Sequence, residues 1–261
     1  MQKKILFNIL FILTFHFFAN AQRLTGSAVK LEGNIYVLSI FIASYNNDWK
    51  VGDKYKMYEK QRVATKWLTK QAKKYKKKVT FTEGTFGYDN TIFLDNIPTA
   101  NATGNEKTDW IQVLLKKVGY KSPLQFHNWV LKNTKCSQSV VLIYAHQKGN
   151  SYAFPYTNNL SKEDYFVEGC LLYNQFNDGQ ELYPSAIAHE LLHDFGAWDL
   201  YKNFMQPQDR EDKAKELYPN EIMLRIAVDI QELEINALTA WLVGLTEKKQ
   251  NWYEWFKPNG Y

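Results

Sequence analysis

The sequence predicts a mixed α/β domain of the α+β kind, in which a twisted mixed sheet with long helices precedes a mostly helical C-terminal part. Runs of β-branched and aromatic residues, bounded by turn residues, predict the strands. Between the first two runs, residues 53–77 contain neither Gly nor Pro, which favours one long helix. Hydrophobic residues make up 45% of the chain and aromatic residues 16%, a balance that argues against disorder.

The first elements are a buried strand and an amphipathic helix. Gly33 to Ser44 reads as a central strand because it is rich in β-branched and aromatic side chains. The helix over residues 53–77 should pack on the sheet through a stripe of Tyr55, Tyr58, Val63, Trp67 and Leu68. Further strands are expected at residues 79–85, 91–94, 140–145 and 168–174, helices at 109–118 and 123–132, and a loop at 98–107.

The C-terminal third is predicted to be mostly helical. One helix should begin near Pro184 and Ser185, because proline suits the first helical turn. Helices are also expected at residues 209–217 and, from strong periodicity, at 229–246. We therefore predict a signal peptide at 1–21 and a single domain at 22–261, divided into a sheet-bearing part, 22–197, and a helical part, 198–261.

The N-terminus has the pattern of a secretory signal peptide. Lys3 and Lys4 precede an apolar run over residues 5–18, and Ala19-Asn20-Ala21 resembles a cleavage site, so we expect cleavage after Ala21 and a secreted or periplasmic protein. No later stretch is long and apolar enough for a stable membrane anchor. The net charge of +5 falls to +3 when both lysines are removed, which is too small to indicate a nucleic-acid partner.

Two cysteines, Cys136 and Cys170, are compatible either with one disulfide in an exported protein or with two buried thiols. They cannot build a cysteine-rich metal site. A metal must therefore be held by His, Asp or Glu.

Residues 189–199, His-Glu-Leu-Leu-His-Asp-Phe-Gly-Ala-Trp-Asp, form the most specific motif of the chain. On a helix, His189 and His193 share one face and can reach one metal ion. Glu190 lies about 100° around the helix, where it can contact a metal-bound water. Gly196 can take the left-handed conformation that ends a helix, and the chain reversal can bring Asp199 back under the histidines.

This motif resembles that of the metzincin clan of zinc peptidases, His-Glu-x-x-His-x-x-Gly-x-x-His followed by a methionine-containing turn. Asp199 stands at the third histidine position, as in snapalysin-like members, and Tyr218 to Met223 resembles the methionine turn. The tyrosine that some metzincins carry two residues after the methionine is replaced by Arg225. The resemblance implies a metzincin-like zincin fold, one catalytic Zn²⁺ ion, and Met223 as an apolar floor beneath the metal.

The expected function is that of a zinc-dependent endopeptidase acting on a peptide or protein substrate. Glu190 would be the general base, and His189, His193 and Asp199 the metal ligands. The peptide would lie along an edge strand near residues 151–156, where Pro155 excludes an interior strand.

Several alternatives are left open. The rival third ligand is Glu232 or Glu234. The rival functions are a zinc hydrolase of non-peptide amides and a catalytically silent zinc-containing binding domain. Calcium is compatible with the sequence, but no motif indicates it, and the oligomeric state is undetermined.

The remaining candidate residues have ordinary structural explanations. His127 and His146 read as polar residues of a helix or loop, and the lysines of residues 70–78 as a solvated helix end. Asp194 and Trp198 could support the two motif histidines, although a surface acid and a packing aromatic are the simpler interpretation. Aromatics near the C-terminus, such as Trp252 and Trp255, could bind carbohydrate, but cores use the same residues.

Overall fold

The computed structural model describes residues 26–50, 52–97, 106–154 and 167–259. The predicted signal peptide at 1–21, most of the predicted loop at 98–107, and Pro155 and Tyr156 of the predicted edge strand lie outside these residues. In the described part, no helix is long and apolar enough to cross a membrane.

A six-stranded mixed sheet forms the centre of the molecule, with the order β2-β1-β4-β6-β5 and with β3 paired to the end of β1. All neighbouring strands are parallel except β5, which runs antiparallel to β6 at one edge. The α+β class that the sequence predicts is therefore confirmed. The strands are β1 (Gly33–Ser44), β2 (Val79–Phe86), β3 (Ile92–Leu94), β4 (Gln138–Lys148), β5 (Tyr152–Phe154) and β6 (Gly169–Gln175).

Both faces of the sheet are buried because helices cover each of them. Alternate side chains of β1 point to opposite faces, as strand geometry requires. Ile35, Val37 and Phe41 belong to one core cluster, whereas Leu38 and Ile40 belong to the other. The first cluster includes α1 (Asp53–Lys74) and α4 (Pro184–Asp194), and the second includes α2 (Glu106–Lys117) and α3 (Pro123–Asn133).

Helix α1 buries a slightly different face from the one the sequence predicted. Trp67 and Leu68 are buried, but Tyr55 and Val63 are exposed, so the predicted stripe was partly wrong. The buried face also includes polar Gln61, which accepts a hydrogen bond from Ser39 of β1 at 2.7 Å. Helical periodicity counted from apolar residues alone misses a buried polar residue such as Gln61, whose hydrogen bond is made inside the core.

The predicted helix over residues 229–246 was wrong. A 3-10 helix (Ile230–Glu232) is followed by extended backbone, and α6 (Ala237–Leu242) begins only afterwards. Glu234 pairs through its backbone with Asn220 and Ile222, at N···O distances of 2.9 and 3.1 Å. This pairing with the methionine turn overrides the helical periodicity. The C-terminal part is thus less helical than expected, with α5 (Gln208–Leu217), α6 and two 3-10 helices, the second at Asn251–Phe256.

The two cysteines are free and buried, so no disulfide joins them. Cys170, on β6, donates a hydrogen bond from Sγ to Asp194 Oδ2 of α4 at 3.2 Å. Asp194 is completely buried, so the interpretation of this residue as a surface acid was wrong. The thiol and carboxylate instead tie the end of α4 to the sheet.

Candidate metal centre and active site

Helix α4 presents the motif histidines at the edge of the core. It begins at Pro184, as predicted, and ends at Asp194. Gly196 has a φ of 102°, and the N–H of Ala197 donates to the carbonyl of Leu192 at 3.0 Å. This is the glycine-dependent helix end expected from the sequence. The turn directs the following segment, including Asp199, back toward α4.

Backbone carbonyls fix the orientation of both imidazole rings. His189 Nδ1 lies 2.9 Å from the carbonyl oxygen of Ile222, and His193 Nδ1 lies 2.9 Å from that of Ala197. A carbonyl can only accept, so each Nδ1 carries the proton in the neutral ring. In that neutral form each Nε2 carries the ring's lone pair, as a metal ligand requires.

The two Nε2 atoms converge with one oxygen of Asp199. The two Nε2 atoms lie 3.2 Å apart. Asp199 Oδ1 lies 3.3 Å from His189 Nε2 and 3.0 Å from His193 Nε2. The potential ligand atoms of this group lie within 4.8 Å of one another. The buried Oδ1 has its close polar contacts with these two ring nitrogens. Two lone pairs and a carboxylate oxygen that face each other fit a divalent cation.

Electrostatics at this cluster also favour a cation. Burial opposes charge on His193, but the carboxylate of Asp199 outweighs it and raises the pKa of His193 to about 9. Burial likewise opposes charge on Asp199, yet His193 and His189 hold its pKa well below the ordinary value. Without a metal, a proton on His193 therefore supplies the positive charge that Asp199 attracts. A metal ion must displace that proton to bind.

The rival ligands and the other histidines lie outside this group. Glu232 and Glu234 are not members of it, and Glu232 is an exposed residue 3.8 Å from Arg225. His127 Nδ1 lies 2.9 Å from Ser139 Oγ, and His146 contacts Asn47. Among the described residues, the potential ligand set is thus His189, His193 and Asp199.

The segment of residues 218–223, which we call the methionine turn after the motif it resembles, lies next to the histidines. Met223 is completely buried in the main core cluster. Its carbonyl accepts the N–H of Leu200 at 2.8 Å, and the preceding Ile222 carbonyl contacts His189, as described above. Glu221, also completely buried, accepts the N–H of Met223 at 3.2 Å and that of Asn236 at 2.7 Å. The turn therefore holds both a histidine ring and the segment that follows Asp199.

Glu190 lies beside the group formed by His189, His193 and Asp199, which we call the metal cluster, and it contacts the edge strand. Its carboxylate is almost fully buried and accepts a hydrogen bond from the N–H of Ala153 in β5. Burial raises the pKa of Glu190, although the neighbouring charges of His189 and His193 oppose this rise. A buried carboxylate with a raised pKa is a stronger base than an exposed one.

Tyr201 is a further site residue that the sequence analysis missed. Its ring lies 6.1 Å from that of His189, and its hydroxyl shares a hydrogen bond with Asp199. Burial raises the pKa of Tyr201, and the carboxylates of Asp199 and Glu190 raise it further, so the phenol stays protonated. The sequence signal that could have identified Tyr201 was its position two residues after the proposed ligand Asp199.

Two adjoining cavities open on either side of Glu190 and Tyr201, which line both. One, of about 220 Å³, contains His193, Asp199 and Phe204 in its wall, and we call it the Phe204 cavity. The other, of about 290 Å³, contains His189 and Arg225, and we call it the Arg225 cavity. The metal cluster thus faces a cleft rather than a sealed interior.

Comparisons with protein-family models and with curated proteins give no match to this chain.

Proposed function

We propose that this protein is a secreted, metzincin-like zinc endopeptidase. The observation that carries the proposal is the convergence of His189 Nε2, His193 Nε2 and Asp199 Oδ1 beside a buried Glu190 and an open cleft. Three protein ligands of this kind are typical of catalytic zinc sites, which leave a further position open. A divalent ion held by them supplies Lewis acidity toward a bound carbonyl and toward water.

The chain's own residues would manage the protons. Glu190, with its raised pKa, takes a proton from the attacking water and passes it to the amine of the leaving peptide. Tyr201, kept protonated, donates a hydrogen bond to the carbonyl oxygen as negative charge develops on it. Before the substrate arrives, this single O–H donates to Asp199, so it must exchange that acceptor for the substrate carbonyl.

The edge strand favours a peptide over other amide substrates. β5 pairs with β6 on one side, and residues 151–153 line the Phe204 cavity. β5 is the edge strand of the sheet, so an extended peptide can add to its open side through main-chain hydrogen bonds. The N–H of Ala153 is already donated to Glu190, so other main-chain groups of β5 would make these bonds. Non-peptide amides remain the alternative, and a parallel assay of glycan and cell-wall amides distinguishes it.

The test is a Glu190→Gln variant, assayed with a broad peptide library and analysed for metal. We expect zinc content to be unchanged and the peptidase rate to fall ~10²–10⁴-fold, the usual contribution of a general base. Glu247→Gln, which alters an exposed glutamate, is the matched control and should keep full activity. A Glu190→Gln protein with the full rate would end the proposal, and so would a wild-type protein that binds zinc and cleaves no peptide.

A further inference from the structure

The Phe204 cavity is built by the loop that follows Asp199 and by the C-terminal segment. Apolar lining residues of this cavity include Trp198, Phe204, Met205 and Pro258, together with Tyr152 and Ala153 of β5. With a volume of about 220 Å³, it is smaller than the ~300–1,000 Å³ pockets that hold drug-sized ligands. Its size suits a single side chain.

The polar side chains of this loop are already used within the loop. Asn203 Nδ2 donates to Asp199 Oδ2 at 3.0 Å, and Asn203 Oδ1 accepts the N–H of Met205 and of Gln206 at 2.8 and 2.9 Å. Gln206 Nε2 donates to the carbonyl oxygens of Asp199 and Phe256 at 2.7 and 2.8 Å. These bonds hold the loop in shape. The side-chain amides of Asn203 and Gln206 therefore already have hydrogen-bond partners before a ligand enters.

With a divalent ion at the proposed centre, the cavity would offer no net charge to an entering side chain. No Lys or Arg is among the described residues that line it. Its two carboxylates belong to Glu190 and Asp199, and a divalent ion at the proposed centre would balance both. A charged side chain would therefore lose water here without gaining a partner, which is costly. An apolar side chain loses nothing by leaving water.

Phe204 stands at the mouth of this cavity with 94% of its surface exposed. The backbone around it is fixed, since Asn203 N–H donates to Gln206 O at 3.1 Å and Asn259 N–H donates to Met205 O at 2.9 Å. An aromatic ring held in water beside an apolar cavity gains by covering an apolar ligand.

We infer that the Phe204 cavity selects a large apolar side chain of the peptide substrate, aromatic or branched aliphatic, and that Phe204 packs over that side chain. This inference rests on the proposed function and adds the substrate class to it. Phe204 is thereby assigned as a residue that determines specificity on the Asp199 side of the cleft.

The experiment first finds the preferred peptide in a position-scanned library. Matched peptides that carry Phe, Ala, Lys or Glu at the selected position are then assayed with wild type and Phe204→Ala. Wild type should favour Phe over Lys and Glu by at least ~10-fold in kcat/KM. Phe204→Ala should lose most of that preference, and the loss should appear in KM rather than in kcat.

Two further proteins make the result decisive. Tyr55→Ala removes an exposed aromatic on α1 and should keep the full preference. Glu190→Gln tests binding of the same peptides without cleavage, by fluorescence anisotropy. Preferential binding of the Phe peptide without any cleavage by wild type would sink the proposed function but support the cavity assignment.

Other outcomes overturn the inference. Cleavage without an apolar preference, or a preference that Phe204→Ala leaves intact, excludes Phe204 as the specificity residue. Absence of both cleavage and differential binding overturns both proposals. A Phe204→Ala protein that changes its sedimentation coefficient but not its peptide selectivity would instead identify Phe204 as a contact between copies of the chain.

Discussion

Single side chains fix the position of the group formed by His189, His193 and Asp199, and the fully buried pair of Cys170 and Asp194 is one example. The thiol is fully enclosed, and burial, followed by the charge of Asp194, raises the pKa of Cys170 well above its ordinary value. The thiol therefore keeps its proton and acts as a donor. This bond lies one residue from His193, so it stabilises the end of the helix that carries both imidazoles.

Replacing Cys170 tests this bond. Cys170→Ala removes the donor to a buried carboxylate, so we expect a lower free energy of unfolding by about 1–3 kcal/mol. Cys170→Ser, the matched control, keeps a donor and should lose less. Urea denaturation of the three proteins measures the difference. Equal stability of the Ala and Ser variants would show that packing alone, and not the hydrogen bond, sets the cost.

At the scale of elements, the end of α4 decides where Asp199 lies. Gly196 has a φ of 102°, which is strained for any residue with a Cβ. Gly196→Ala should reduce stability by about 1–2 kcal/mol and also weaken zinc binding, because Asp199 shifts relative to the histidines. Calorimetric zinc titration and thermal melts provide the two readouts.

Gly244 is the matched control for that substitution. It has a φ of 76° after α6 and takes no part in the metal cluster. Gly244→Ala should therefore cost similar stability and leave zinc affinity unchanged. If both variants bind zinc like wild type, the turn at Gly196 does not position Asp199.

The methionine turn depends on Glu221 in a pH-dependent way. Burial raises the pKa of Glu221 to about 7, although the N–H groups of Asn236 and Met223 oppose the rise. The folded state thus binds the proton more tightly than the unfolded state, whose pKa is about 4.3. Stability from this group is complete below the unfolded pKa and is lost as pH rises through about 7.

Glu221→Gln removes this titration. We expect the melting temperature of Glu221→Gln to rise relative to that of wild type as the pH increases from 5 to 8, because only wild type must bury a charge at the higher pH. Melts of both metal-free proteins across this range measure the difference. A difference that stays constant across the range would mean that Glu221 does not change its ionisation there.

The sequence predicted local elements better than those shaped by distant contacts. β1, the start of α4 and the turn at Gly196 follow from residue types that are adjacent in the chain. The helix predicted over residues 229–246 failed because Glu234 pairs with residues of the methionine turn.

The site shows the same division between local and distant information. The spacing within 189–199 was sufficient to propose three ligands and a base. The carbonyl of Ile222 that orients His189, and the N–H of Ala153 that holds Glu190, come from segments far along the chain. No pattern in the neighbouring sequence predicts such backbone contacts, so they could not be inferred from the sequence.

At the scale of the whole molecule, we expect the fold not to depend on a bound metal ion. Helices pack on both faces of the sheet and form two core clusters, one of which contains the buried apolar residues of α4. The metal cluster lies at the border of this core and the cleft. This arrangement is expected of a catalytic site, whereas a small structural zinc domain lacks a core of its own.

Metal removal tests this view. After chelation and dialysis, we expect the far-UV circular dichroism spectrum to remain and the melting temperature to fall. Zinc restored at 100 times its dissociation constant should stabilise the fold by about 2.7 kcal/mol. Loss of the helical signal on chelation would instead favour the catalytically silent domain whose fold needs the metal.

The most direct measurement of the central claim is zinc stoichiometry and affinity for wild type, Asp199→Ala and Glu234→Ala, by elemental analysis and competition with a chelating dye. We expect one zinc ion in wild type and in Glu234→Ala with equal affinity, and at least ~10-fold weaker binding in Asp199→Ala, since that variant loses a ligand. Wild-type affinity in Asp199→Ala, or loss of zinc in Glu234→Ala, would contradict this claim.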